Sequence, residues 1–396
     1  MQPAPNSRKS MSSIAAEPSA ASALLKSSVK RKFGTSVKKI SANNAFAKAG
    51  ARRNTRSKRK KTSQYGWLAK DMHIGPGCTF AKFDVKRVIG TGLMGQVVLA
   101  EWKKDETWCA IKCVKKDYIC RHDDGRHIQA ERKLLENADS PFICSMFGTF
   151  QDKVFCYFVL EYAAGGELFS RLHNKKGKFG VQTSKFYLIE ILLALEHVQS
   201  LGFAYRDLKP ENIMLDEEGH CKLVDFGFSA QPDKNGLLHT NVGTPAYLSP
   251  EQLNYKKTGG YKMHVDWWAF GIIIFELLTG TTPFCKSHKE SSYAIYIRVL
   301  KGKIKFPGYF DNSVKDLVKQ LLTADEEKRT KDVKSIKKSA YFKEVEWEKV
   351  LSRELVPPYV PKLKEEGDAH YFDQYAELNK SEKDPRKIDH TVFHGF

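Results

Sequence analysis

The chain has 396 residues, and at 41% hydrophobic it can bury a large core spread over two or three domain-sized units. Its formal net charge of +19 is uneven: residues 1–70 hold 17 Lys and Arg against one acid, Glu17, while the remainder holds 48 against 45. This excludes a uniformly basic body of the kind that binds nucleic acid over its whole surface, and no apolar run spans a bilayer, the longest, residues 269–278, being about half the required length. The eight cysteines form no C-x-x-C pair and no metal-ligand spacing, so they read as reduced, mostly buried intracellular thiols. Met1-Gln2 lacks the glycine that myristoylation needs, and a soluble protein is expected.

Residues 1–64 are rich in Ser, Ala, Lys and Arg, with few aromatics and no sustained period, and are expected to be a disordered basic arm. Within it RRNTRSKRKK, residues 52–61, fits a nuclear localisation signal or a patch for nucleic acid or anionic membrane lipid; a solvated tail and a mitochondrial presequence are the competing readings. Cytoplasmic or nuclear localisation, or both, is the expectation. Residues 65–82 form a linker, with a candidate short helix beginning at Trp67-Leu68.

Residues 83–89 alternate as a strand, then Gly90-x-Gly92-x-x-Gly95-x-Val97 leads into a second β-like run. A dinucleotide-binding Rossmann turn is the rival reading, but that needs a helix after the glycines; two flanking strands suit a phosphate-covering hairpin. A third strand, residues 108–114, carries Lys112 amid apolar neighbours, and a helical run over residues 127–136 offers Glu131 as its carboxylate. Residues 154–161 form a core strand ending in a hinge at Tyr162-Ala163-Ala164-Gly165-Gly166. Beyond it, residues 183–201, 265–279 and 314–322 show helical spacing, and after about Phe342 regular periods stop.

The chemistry concentrates in YRDLKPEN, residues 205–212, followed thirteen residues later by Asp225-Phe226-Gly227. Asp207 can orient an acceptor hydroxyl, Lys209 can neutralise a transferring phosphate, and Asn212 with Asp225 can hold Mg²⁺. A pseudokinase scaffold would normally lack one of Lys112, Asp207, Asn212 or Asp225, and all four are present.

With these motifs, the chain from about residue 80 to 396 resembles AGC-group serine/threonine protein kinases, and among them the cyclic-AMP-dependent catalytic subunits. Tyr205 before Arg206-Asp207, VDFGF at residues 224–228, VDWW at 265–268, Phe372-Asp373 and the terminal Phe393-x-x-Phe396 carry the resemblance. It implies an α+β bilobal protein kinase fold: a β-rich small lobe with one helix over residues 83–162, a helical large lobe over 163–342, and a C-terminal tail over 343–396 whose terminal aromatic pair packs near the Glu131 helix. ATP and Mg²⁺ are the implied cofactors. Gly90, Gly92 and Gly95 would cover the phosphates, Lys112 with Glu131 would hold the α and β phosphates, and Val97, Ala110, Leu160, Glu161, Ala163, Met214 and Phe372 would line the adenine site with Glu167 near the ribose. Lys209 and Thr244 would steady the transferring group, and Leu135, Met146, Tyr205 and Phe226 would stack into a spine. Glu251 and Arg329 would pair. Thr240 takes the activation-loop phosphorylation position, with Arg206 and His127 as the phosphate clamp.

Glu167, Glu211 and Glu276 match acids that receive arginines upstream of the phosphoacceptor, implying protein substrates of R-R-x-S/T type, and Phe228 implies serine over threonine. A regulatory subunit or inhibitor is the implied partner, although His239 replaces a tryptophan that helps such docking. Leu93-Met94 replace Ser-Phe at the glycine-loop tip, Ala230 replaces a phosphate-contacting lysine in a loop about two residues longer, and Asn241 and Ala246 replace Leu and Glu, so the pocket after the phosphoacceptor is expected to be less apolar. Arg52-Arg53-Asn54-Thr55 itself fits R-R-x-T, a candidate autophosphorylation or autoinhibitory segment.

Overall fold

The computed structural model describes residues 72–75, 77–122, 124–174, 177–287, 289–377 and 388–396. The arm over residues 1–64, the proposed helix start at Trp67-Leu68 and the Arg52-Arg53-Asn54-Thr55 segment lie outside the described residues.

Five strands, β1 (Phe83–Thr91), β2 (Gly95–Trp102), β3 (Thr107–Lys115), β4 (Met146–Gln151) and β5 (Phe155–Glu161), form one antiparallel sheet in the order β1-β2-β3-β5-β4. Register irregularities in the β1/β2 pair, at Val85/Arg87 and Val88/Gly90, accompany the glycine-rich turn between them. Gly95 is required there: its φ is +154°, and a Cβ on it would lie 1.8 Å from the Cys113 carbonyl oxygen. One face of the sheet buries Phe83, Val98, Ile111, Phe150, Tyr157 and Val159, with stacked rings at Phe150 and Tyr157 (4.4 Å).

The small lobe carries two helices, not the one expected. Besides α2 (Gly125–Asn137), which bears Glu131, there is α1 (Lys116–His122). The helix α1 is only seven residues long and buries just Lys116 and Ile119, so its sequence has too few apolar positions to show a helical period. Lys116 is buried because its ammonium is shared by Gln151 Oε1 (2.7 Å) and the Asp152 carbonyl (2.6 Å).

The large lobe is helical: α3 (Leu168–Asn174), α4 (Val181–Ser200), α5 (Pro250–Thr258), α6 (Val265–Thr279), α7 (Ser292–Lys301), α8 (Asn312–Leu321) and α9 (Val333–Lys337), with a two-stranded ladder of β6 (Ile213–Leu215) and β7 (Cys221–Leu223) beneath the cleft. The helix α6 is buried on almost every side, as its uniformly apolar sequence requires. A capping box starts α5, with Ser249 accepting from Gln252 N–H and Gln252 Oε1 accepting from Ser249 N–H. Arg329 donates to both oxygens of Glu251, with both side chains buried, and its guanidinium lies 4.8 Å from the Trp268 ring.

The tail contains α10 (Trp347–Leu351), where no periodic structure was expected; five residues are too few to register as a period. Its end returns to the small lobe. Phe393 is fully buried 5.1 Å from the Lys116 ammonium, and Phe396 meets Phe158 edge-on at 5.2 Å with Arg132 of α2 over its ring at 5.3 Å. Gln151 and Gln129 donate to main-chain carbonyls of Phe393, Phe396 and Val392. All eight cysteines are free thiols and six are buried. No helix of the described residues is long and apolar enough to cross a membrane.

Candidate active site

The loop of residues 205–212 is held in an unusual backbone shape. Arg206 has φ +68° and Asp225 φ +56°, left-handed values that cost a non-glycine residue of order 1 kcal/mol or more. The offset comes from buried Asp266 at the start of α6, whose carboxylate accepts from the Tyr205 N–H (3.0 Å) and the Arg206 N–H (2.9 Å). Tyr205 donates to the Val224 carbonyl at 2.5 Å and packs edge-on against Phe226 at 5.3 Å, tying this loop to the Asp225 turn.

Asp207 is consequently buried with three partners. Lys209 Nζ donates to Oδ2 at 2.7 Å, Asn212 Nδ2 to the same oxygen at 2.8 Å, and the Thr244 hydroxyl to Oδ1 at 2.9 Å. Lys209 also reaches Thr244 Oγ1 at 3.2 Å, closing a triangle of Asp207, Lys209 and Thr244. Burial pushes the Asp207 pKa above its ordinary value, with the Lys209 charge opposing it.

Lys112 on β3 donates to Glu131 Oε1 (2.7 Å) and to Asp225 Oδ1 (2.8 Å). Burial disfavours its charge, but the two carboxylates outweigh that and raise its pKa. The Lys112 charge in turn holds Asp225 below the usual carboxylate value, so Asp225 stays ionised at neutral pH, with its side chain half exposed to the cleft.

Val97, Ala110, Leu160 and Phe372 are brought together with Ile89, Leu99, Tyr162, Trp108 and Ala369. The sequence marks Tyr162 only as the first hinge residue and does not mark Ile89 as a lining residue, although its place directly before Gly90 is a signal. Tyr162 donates to the Asp368 carbonyl at 2.8 Å and its ring lies 5.7 Å from Phe372, so the tail forms one wall of this apolar pocket. Ala163 is buried in the hinge and Met214 bridges to Glu167. Glu161 differs: its carboxylate pairs with buried Lys222 (2.9 Å) and accepts from the Ser145 N–H (3.1 Å), so only its main chain is left for a ligand. At the glycine-loop tip Leu93 is 59% exposed, while Met94 turns inward to line a small cavity with Val114, Ile128, Glu131 and Gly227.

Arg206 reaches Thr240 Oγ1 (2.7 Å), Tyr261 Oη (2.9 Å), the Phe228 carbonyl (2.7 Å) and His127 Nε2 (3.5 Å), bringing Thr240, Arg206 and His127 of α2 to one point. His239 is turned away onto Asp233 (2.9 Å). Among the acidic residues, buried Glu276 accepts from Tyr247 at 2.7 Å. Burial pushes its pKa up to about 8, and Glu211 adds to this. Burial, then Glu211 and Asp373, push Glu167 up to about 7. The three carboxylates therefore share a common field that a cation would relieve.

The protein kinase domain family matches residues 83–342. The chain is 40% identical over 308 residues to the cAMP-dependent protein kinase catalytic subunit of Dictyostelium discoideum, covering 77% of this chain and 46% of that protein, so it spans about half of that relative. It is 40% identical over 307 residues to the cAMP-dependent protein kinase catalytic subunit PRKX of Homo sapiens, covering 76% and 83%. It is 39% identical over 305 residues to the cAMP-dependent protein kinase type 3 of Saccharomyces cerevisiae, covering 76% and 74%. The chain belongs to the protein kinase family, as a serine/threonine kinase of the AGC, cAMP-dependent-like type.

Proposed function

We propose that the chain is an arginine-directed serine/threonine kinase that uses ATP with Mg²⁺ and is activated by phosphate on Thr240. The observation that carries this reading is the closed triangle of Asp207, Lys209 and Thr244 beside Asn212. Asp207 orients the substrate hydroxyl and takes its proton; Lys209 and Thr244 steady the transferring phosphoryl group. Lys112, oriented by Glu131, holds the α and β phosphates, and Gly90, Gly92 and Gly95 let the backbone approach them.

Asn212 and Asp225 fit a hard divalent cation, since an amide oxygen and an ionised carboxylate are oxygen donors of the kind Mg²⁺ takes. The metal, when bound, neutralises charge on the phosphates. The apolar pocket from Ile89 to Phe372 receives the adenine ring, with Glu167 at the ribose.

The Glu167, Glu211 and Glu276 group takes guanidinium groups two and three residues before the acceptor, because burial makes their shared charge costly until a cation arrives. A phosphate on Thr240 would meet Arg206 and His127 and so link the activation loop to α2 and Glu131. The names of the relatives support a regulatory subunit as partner, with His239 on Asp233 marking where docking would differ. The basic segment at residues 52–61 supports cytoplasmic or nuclear residence and accessory contact with nucleic acid or anionic membrane.

The test is phosphate incorporation into a serine peptide with arginine at positions −3 and −2, compared with the same peptide carrying alanine there. A large fall in kcat/KM on losing the arginines supports the reading; equal rates would refute it.

A further inference from the structure

We propose that Asn241 makes this kinase prefer a hydrogen-bonding residue, rather than a large apolar one, immediately after the phosphoacceptor. This rests on the substrate-cleft reading above, and three points on one stretch of chain set its direction. The Thr244 hydroxyl, bonded to Asp207 Oδ1 at 2.9 Å, marks where the acceptor hydroxyl enters. Three residues further on, Tyr247 donates to Glu276 at 2.7 Å and marks the pocket for upstream arginine. Asn241 lies three residues in the other direction. A substrate that runs from Glu276 past Asp207 therefore continues toward residues 241–243, at roughly 3.5 Å per extended residue.

The stretch is fixed at both ends, so it forms a defined rim. The Thr240 carbonyl accepts from Tyr261 at 2.6 Å and its hydroxyl from Arg206 at 2.7 Å, while Thr244 is held by Asp207 and Lys209. Gly243 turns the chain with φ +113°, where a Cβ would lie 2.6 Å from the Arg206 carbonyl oxygen. Asn241 is exposed on this rim, and among the described residues its amide makes no hydrogen bond.

A free primary amide offers two donors and an acceptor. A leucine pressed against it strips water from those groups and pairs none of them, whereas serine, threonine or glutamine satisfies them. The nearby apolar wall is thin: Val242 and Ala246 are only partly buried, and Ala246 contributes a single methyl.

The test uses the full chain and serine peptides with arginine at −3 and −2, varied only at +1 among Gln, Ser, Leu and Lys. The wild type is expected to give higher kcat/KM for Gln or Ser than for Leu. Asn241→Leu should reverse that order with a swing of about tenfold in the ratio, and Asn241→Asp should move the preference toward Lys. A wild-type preference for Leu, or ratios that neither variant changes, overturns the inference. Indifference to the upstream arginines would instead sink the cleft reading, an outcome the −3 and −2 alanine controls separate from the +1 result.

Discussion

Arg206 Nη1 donates to Thr240 Oγ1 at 2.7 Å, and the same residue precedes Asp207 in a left-handed backbone conformation that Asp266 holds in place. One side chain thus joins the activation loop to the residue proposed to receive the substrate proton.

From that link, Thr240→Ala is expected to lower kcat/KM by about 10²-fold, since it removes a group able to carry nearly two negative charges opposite Arg206 and His127. Steady-state kinetics, with mass spectrometry confirming the phosphate on the wild type, checks this. Full activity in wild-type protein shown to be unmodified would count against it.

The tail is expected to act through α2. Phe393 is 0% exposed, and truncating a buried phenylalanine to alanine typically costs about 3–5 kcal/mol. Phe393→Ala should lower the unfolding midpoint in denaturant. Phe396→Ala, which removes ring contacts to Phe158 and Arg132, should chiefly raise KM for ATP by loosening the helix that carries Glu131.

The acidic pocket sets a pH dependence. Glu167 and Glu276 titrate near 7 and 8 in the free protein, so each is increasingly protonated as pH falls below its value. KM for an arginine-bearing peptide should therefore rise from pH 8 to pH 6, while KM for a peptide without arginine stays flat. The stability sign is opposite. Between the ordinary glutamate value of 4.5 and about 8 the native state binds more protons than the unfolded chain, so stability falls as pH rises through this window. Glu276→Gln should remove the Glu276 share of that slope, leaving the smaller part from Glu167 below about 7, and stabilise the protein at pH 8 by roughly 1 kcal/mol or more, measured by urea unfolding at pH 6 and 8.

Glu251 and Arg329 form a buried bidentate pair, and removing one partner leaves the other charge unpaired. Glu251→Ala should cost about 3–5 kcal/mol. Chemical denaturation measures this, and a loss below about 1 kcal/mol would show that the pair is solvated after all.

Much of this site is readable from spacing alone, for a local reason. Asp207, Lys209 and Asn212 share one loop, so residue numbers separated by two and three already place them together. Lys112 and Glu131 are legible because a charge inside an apolar strand demands a partner. Asp266 and Ile89 are not legible in this way. Asp266 acts from 60 residues away through backbone N–H groups that leave no trace in side-chain pattern. The role left to Glu161 is only half legible: its carboxylate partner, Lys222, comes from the β6/β7 ladder 61 residues away, so nothing near residue 161 shows that its main chain alone remains for a ligand. The helices α1 and α10 escape for a simpler reason, being too short for a 3.6-residue period to declare itself.

The central claim is that Asp207 organises phosphoryl transfer to a serine or threonine hydroxyl. Comparing wild type with Asp207→Asn in single-turnover phosphorylation of an arginine-containing serine peptide tests it most directly, with ATP affinity and melting temperature measured in parallel. The account predicts a fall in rate of about 10²–10⁴ with nucleotide binding and folding retained. A variant that transfers phosphate at the wild-type rate would contradict it.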